Sequence, residues 1–264
     1  MATSAKLYWD TIGRTWQATR PQSLWRIHSD EINTALLDRW LPAGRFARVL
    51  KTDAFDEAVS AGLYPVLAQH ARAVMGMDVS TTMLHAARAR HPGLRAAGAD
   101  TRHLPYADGA FDAVVSNSTL DHLNSQAEIA ASLRELHRVL RHQGHLILTL
   151  DNPDNPAIAL RNALPLHWLN RLGLVPYQIG STCSERTLRR MLSQTGFRVL
   201  DVRFVMHHPS ILAVLLTRGL EQRASPATQM RFLRGLMALE RLADWPTRAL
   251  TGHFVAVRAI KADA

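Results

Sequence analysis

The sequence predicts an α/β protein built on a doubly wound, mostly parallel sheet. Two observations predict it. Short apolar runs alternate with amphipathic stretches from Arg45 onward, and most of the runs end in polar or glycine-containing turns. Length agrees: 264 residues suit one large α/β domain or two small ones.

The elements follow in order. Residues 1–44 read as a helical cap. Ser29 with Asp30 and Glu31 resembles an N-cap and acidic first turn, and Ile32, Leu36, Leu37 and Trp40 follow at helical spacing. The stretch FARVLKT reads as the first strand and RAVMGMDVS as the next. Ser80 is placed to cap the helix TTMLHAARAR, which stops at His91-Pro92-Gly93. FDAVVSN is a short apolar run of the kind found in a strand covered on both faces. Ile129, Leu133, Leu136, Val139 and Leu140 form a helical stripe that Gly144 is expected to end, and HLILTL follows as a strand. Then come a helix over Glu185–Ser193, the strand FRVLDVRFV, helix to about Trp245 and the last strand HFVAVRAI. The stretches about 152–180 and 207–246 read as helical insertions into a domain spanning 45–264.

Composition excludes several classes. The chain is 47% hydrophobic and 20% charged, which leaves ample material for a core. One cysteine allows no internal disulfide, and Cys183 has no evident base partner that would make it a nucleophile. The longest apolar run, around 211–216, is far too short to span a bilayer, and MATSAKLYWD lacks the pattern of a secretion signal. A cytoplasmic protein is expected, as a monomer or homodimer. Neither His207-His208 nor the other histidines follow metal-ligand spacing, so no metal is expected. Lys and Arg exceed Asp and Glu by 31 − 22 = 9, but the arginines are spread through every segment. Diffuse charge of this kind is not a nucleic-acid footprint.

In an open parallel sheet, ligands bind beyond the carboxyl ends of the strands. Asp78 ends the second strand, where a carboxylate can accept both hydroxyls of a ribose. Asp100 follows the next stretch, where a carboxylate can accept from an exocyclic amine. The order G-M-D-V-S, G-A-D-T-R-H-L-P, D-G-A-F-D-A-V-V-S-N and E-L-H-R-V-L-R-H-Q-G-H-L-I-L-T resembles the class I S-adenosylmethionine-dependent methyltransferases, in the branch acting on small molecules. The resemblance runs from about Arg45 to Asp151 and resumes in GFRVLDVRF and GHFVAVRAI.

It implies a three-layer, Rossmann-like sandwich of seven strands, the last antiparallel, with S-adenosylmethionine as cofactor and S-adenosylhomocysteine as product. Asp78 would hold the ribose, with Val79 and Met83 beside the adenine. Asp100 and the Thr101 backbone would meet the adenine edge. Ser116 and Asn117 would line the methionine portion, and the stretch holding His122 would border the acceptor, with His122 a candidate general base.

One motif departs from the family pattern. Where a glycine-rich loop is usual, the chain reads VLKTDAFDEA, with no glycine until Gly62. A recast loop would put Lys51 against the cofactor's carboxylate and Asp53 or Glu57 against its ammonium, with Thr52 and Phe55 alongside. A site too degenerate to bind, or a solvated Lys51, are the alternatives. Tyr8, Trp9, Trp16, Leu164, Leu166, Trp168 and Tyr177 are candidates for an apolar lid over a small-molecule acceptor. Two other classes follow: a protein of this fold that binds the cofactor without methylating, and a nucleic-acid methyltransferase. Against the latter, SNSTLDHL stands where an acceptor-flipping motif belongs.

Overall fold

The computed structural model describes residues 2–19, 23–42, 44–171, 178–208 and 210–262. Seven strands form one sheet: β1 Phe46–Lys51, β2 Ala71–Asp78, β3 Arg95–Gly98, β4 Phe111–Asn117, β5 Leu140–Asp151, β6 Phe197–Val205 and β7 Phe254–Lys261. Their order is β3-β2-β1-β4-β5-β7-β6. The first five run parallel, and β7 enters antiparallel between β5 and β6.

Alternate residues of each central strand feed opposite cores, as a sheet covered on both faces requires. Val49, Ala113, Val115 and Ile147 pack with Leu36, Leu37 and Trp40 of the helix Ser23–Trp40. Leu50, Val114, Leu146 and Leu148 pack on the other face with Ile129, Leu133 and Leu136 of the helix Gln126–Val139, and with Leu188 and Leu192 of Glu185–Gln194. The sheet reverses its winding between β1 and β4, so the two β-α crossings leave a crevice at their carboxyl ends.

Two local expectations are corrected. Ser29 does not cap a helix: the helix starts at Ser23 and runs through it, and the Ser29 carbonyl accepts from Asn33 Nδ2 at 3.0 Å. Gly144 does not end the helix Gln126–Val139, which passes at Leu140 directly into β5. Glycine is needed there for space, since a Cβ would lie 2.7 Å from the Arg141 carbonyl, while Gln143 takes the left-handed turn with φ 55°. The short strand β3 has no signal in the sequence pattern, since RAAG carries no β-branched or aromatic residue. The Ser80 cap is present, its hydroxyl accepting from Met83 N at 3.2 Å. Among the described residues, no helix is long and apolar enough to cross a membrane.

Candidate functional site

A cleft of about 210 Å³ opens at the carboxyl edge of β1, β2 and β4. β1 delivers Thr52 and Asp53 to it, β2 delivers Asp78 and Val79, and β4 delivers Asn117 to Thr119. The N-terminal helices close it from above with Trp9, Trp25 and Asn33.

Asp78 is the carboxylate most deeply committed to this cleft. Its Oδ2 accepts from Ala54 N at 3.1 Å and its Oδ1 from Ser80 N at 2.8 Å. Each oxygen keeps a lone pair for a further donor. Burial pushes the carboxyl up to about 6, with the two backbone donors pulling the other way. Val79 and Met83 line the wall beside it.

The loop after β1 is built by side chains where glycines would otherwise do the work. Lys51 is only 1% exposed. Its Nζ sits 2.9 Å from Asp53 Oδ1 and 2.9 Å from Glu57 Oε2, with Asp56 Oδ2 at 3.9 Å. Burial alone would lower its pKa, but Asp53, Glu57 and Asp56 together hold the ammonium well above the ordinary lysine range. Glu57 Oε1 also accepts from Leu63 N at 2.9 Å, and glycine is required at 62, where φ is 60° and a Cβ would stand 2.8 Å from Glu57 N. Lys51 and Glu57 therefore lie beneath the loop and face each other, not the cleft. Asp53 reaches both layers: its Oδ1 also accepts from Phe55 N, and its Oδ2 from Thr119 Oγ1 at 3.0 Å.

Thr52 Oγ1 lies 3.0 Å from Ser116 Oγ, which is buried behind the cleft wall. Asn117 lines the cleft and its Oδ1 accepts from Thr149 Oγ1 at 2.9 Å. Ser118, next along, holds φ 47°, a conformation costly for a residue with a Cβ, and donates to Asp121 Oδ2.

Asp100 and Thr101 line the far end. The Asp100 carboxylate is gripped by Arg102, with Nη2 at 2.6 Å and Nε at 2.9 Å, and Arg102 Nη1 continues to Glu128 Oε1 at 2.5 Å. Burial opposes it, yet Arg102 holds the Asp100 carboxyl below the usual range. Thr101 Oγ1 accepts from Ser132 Oγ.

His122 borders the other end. Its Nδ1 is 3.3 Å from the Gln178 carbonyl, and its ring meets Trp9 edge to face at 4.9 Å between centroids. The lid candidates divide. Trp9 lines the cleft, as does Phe55 of the loop after β1. Tyr8 sits at its rim, its hydroxyl accepting from Gln178 N at 2.6 Å. Trp16 is core, stacked edge to face on Phe55 at 5.1 Å with the Arg26 guanidinium over its ring. Leu164 and Trp168 point to solvent, away from the cleft. Tyr177 and the side chain of Leu166 lie outside the described residues.

Sequence reasoning missed Trp25, Ser29 and Asn33, which line the cleft from one face of the helix Ser23–Trp40, and Phe254 at the start of β7. The signal was their four-residue spacing, which places one aromatic and two polar groups in a row on an otherwise apolar flank. Cys183 is buried, which pushes its thiol up to about 11 and away from nucleophile chemistry. Among the described residues, no group of three or more His, Cys, Asp or Glu is arranged to hold a metal ion.

Residues 58–148 match the profile of a family described as a methyltransferase domain. The chain is 30% identical over 164 residues to an O-methyltransferase of Pyrenophora dematioidea, covering 58% of this chain and 56% of that one. Among solved structures, it superposes on a geranyl diphosphate C-methyltransferase from Streptomyces coelicolor A3(2) with a TM-score of 0.57 and 14% identity, over 87% of this chain and 78% of the other. It also superposes on a cyclase with a TM-score of 0.55 and 20% identity, over 88% and 80%. The chain spans about half the length of the curated relatives it matches.

Proposed function

We propose that this protein, whose residues 58–148 match a methyltransferase-domain profile, is a class I S-adenosylmethionine-dependent methyltransferase that transfers a methyl group to an oxygen or nitrogen of a small, partly apolar molecule. One observation carries the reading: Asp78, at the end of β2, is a half-buried carboxylate on the cleft wall with a lone pair to spare on each oxygen. A ribose diol supplies two donors at the matching place. The donor set fits the rest of such a cofactor. Thr101 and Met83 offer a rim for adenine, and Asn117 and Thr52 offer polar groups for the amino-acid end.

Asp53 is the acidic group nearest the methionine end, so it is the partner for an ammonium; Lys51 serves it from below by fixing the loop. Glu57 and Ser116 belong to the same support. Asp100 positions Arg102 and so shapes the adenine edge indirectly.

The bound cofactor supplies an already activated sulfonium methyl group. The protein's task is then alignment of an acceptor against it, with water kept out, and such positioning can supply roughly 7–11 kcal/mol of the barrier. His122 is placed to accept a proton at an imidazole nitrogen where the acceptor must lose one. Trp9, Trp25 and Phe254 offer apolar walls. The division into a cap over 1–44 and a domain over 45–264, with insertions about 152–180 and 207–246, is part of the same reading, as is a cytoplasmic location.

A panel of neutral alcohols, phenols and amines with apolar bodies, incubated with methyl-labelled S-adenosylmethionine, tests it. Label should pass to at least one class and be reduced by Asp78→Ala. Cofactor binding without transfer to any class would favour the second reading, an enzyme of this fold that does not methylate, for which the cyclase superposition is the specific observation.

A further inference from the structure

One face of the helix Ser23–Trp40 supplies a cation to the cleft. Arg26, Ser29 and Asn33, at spacings of three and four, all line it, with Trp25 beside them. The Arg26 side chain is only 12% exposed, and two neighbouring segments hold its guanidinium. It lies 4.7 Å from the centre of the Trp16 ring, on the helix Ala2–Thr19, and 4.8 Å from that of Phe55, in the loop after β1. From the same loop, Asp56 Oδ1 accepts from its Nη1 at 2.7 Å. An arginine packed on two rings and tied to a carboxylate is fixed in place before any ligand arrives.

These contacts leave most of the guanidinium's donors unused. Among the described residues it makes this one hydrogen bond, and its buried Nε has no acceptor. Buried donors are ordinarily satisfied, so one left open in a residue that lines a cleft calls for a partner from outside the chain. The other arginine on the wall, Arg102, has Nε, Nη1 and Nη2 all engaged by Asp100 and Glu128. Lys51 is turned beneath the loop towards Asp53 and Glu57 and does not line the cleft. Arg26 is therefore the cation on this wall with donors to spare. It stands against the loop that carries Asp53, three residues before its own partner Asp56. The backbone donors of that loop are already committed, Ala54 N to Asp78 and Phe55 N to Asp53.

We propose that Arg26 receives the carboxylate at the amino-acid end of the cofactor, so that the cap helix takes part in cofactor recognition. The inference rests on the methyl-transfer reading and deepens it at the cofactor site. A carboxylate brings two acceptor oxygens to the free N–H groups of the guanidinium, and bonds between such ions are the strong, charge-assisted kind. Arg26 and Asp53 then present opposite charges to the two ends of one zwitterion. A loop without glycines cannot bring more backbone N–H groups to that carboxylate. An arginine from the cap makes up for them.

Calorimetric titration of the full chain with two ligands tests it: S-adenosylhomocysteine, and its decarboxylated analogue, which keeps the adenosine and the ammonium. Wild type should bind the first about ten- to a hundredfold more tightly, the worth of a hydrogen bond between charged groups. In Arg26→Met that preference should disappear, with the affinity for the analogue unchanged. Arg26→Lys keeps the charge and loses the fork, so it should retain part of the preference, and it serves as the second variant if Arg26→Met does not fold. Wild type that binds both ligands equally would overturn the proposal. So would a preference that survives Arg26→Met, which would place the carboxylate on another group. Equal weakening of both ligands by Arg26→Met would confine the arginine to holding the cap in place, and would overturn it too. Wild type that binds neither ligand would bring down the methyl-transfer reading itself, so the two failures are distinguishable.

Discussion

A lysine ammonium that is 1% exposed persists in the fold only because carboxylates surround it. Lys51→Met would leave the buried Glu57 and the half-buried Asp53 without their counter-charge. It should cost about 3–5 kcal/mol of stability, the range for breaking a buried ion pair from one side. Thermal melting checks this, and adding Glu57→Gln should recover part of the loss. Asp78 offers a second prediction through pH. Burial raises its carboxyl to about 6 from the ordinary 3.8, so between those values the folded chain holds a proton that the unfolded chain has released. Asp78 thus withdraws stability from the ligand-free fold as pH rises through that window. Ligand hydroxyls donate to the ionised form. Affinity for S-adenosylhomocysteine should be flat above about pH 7 and weaken below 6, approaching tenfold per pH unit. Asp78 and its neighbours were legible because type and position relative to a strand end suffice to suggest a ribose contact. The orientation of Lys51 was not legible, since sequence shows that a loop lacks glycines and not what replaces them.

Among the elements, the helix Ser23–Trp40 and the end of β6 meet in a cluster of buried imidazoles. The His28 and His208 rings lie 5.0 Å apart and pack around Trp25, and neither has a ring-nitrogen hydrogen-bond partner among the described residues. Burial lowers His28 to about 4 and His208 to about 3; the nearby His253, held 3.3 Å from Asp151, adds to the shift at His208. Both are bases with depressed folded values, so they cost stability as pH falls below 6.5 and the unfolded chain takes up protons first. His208→Phe should therefore flatten the decline in melting temperature between pH 6.5 and 4. At the other side of the cleft, a Cβ on Gly180 would stand 2.4 Å from the Leu123 carbonyl and 2.5 Å from that of Asp121. Gly180→Ala must push the His122 turn aside, and it should destabilise the fold and reduce transfer more than it reduces cofactor affinity. Strands such as FDAVVSN announced themselves by apolar runs. The continuity from the helix Gln126–Val139 into β5 did not, because the backbone turns at Gln143 and Gly144 is selected for space.

At the scale of the whole molecule, the basic charge is spread through every segment and not gathered in one run. Arg26, Arg102, Arg138, Arg141 and Arg161 each pair with a carboxylate. Binding to DNA or RNA should be weak in a fluorescence-anisotropy titration, without the loss of about 10³-fold or more between 50 and 200 mM salt that phosphate engagement produces. The sheet architecture was legible because alternation of strand and helix leaves few topologies. The roof of the cleft was not, since Trp25 and Asn33 reach it from a helix far from β4 in sequence. The central claim is that this cleft holds S-adenosylmethionine through Asp78. Calorimetric titration with S-adenosylhomocysteine tests it most directly. The account predicts one site on the wild type and an affinity reduced by about 2–4 kcal/mol in Asp78→Ala, from the loss of a charge-assisted pair of hydrogen bonds. Equal affinity in the two proteins, or no binding to the wild type, would contradict it.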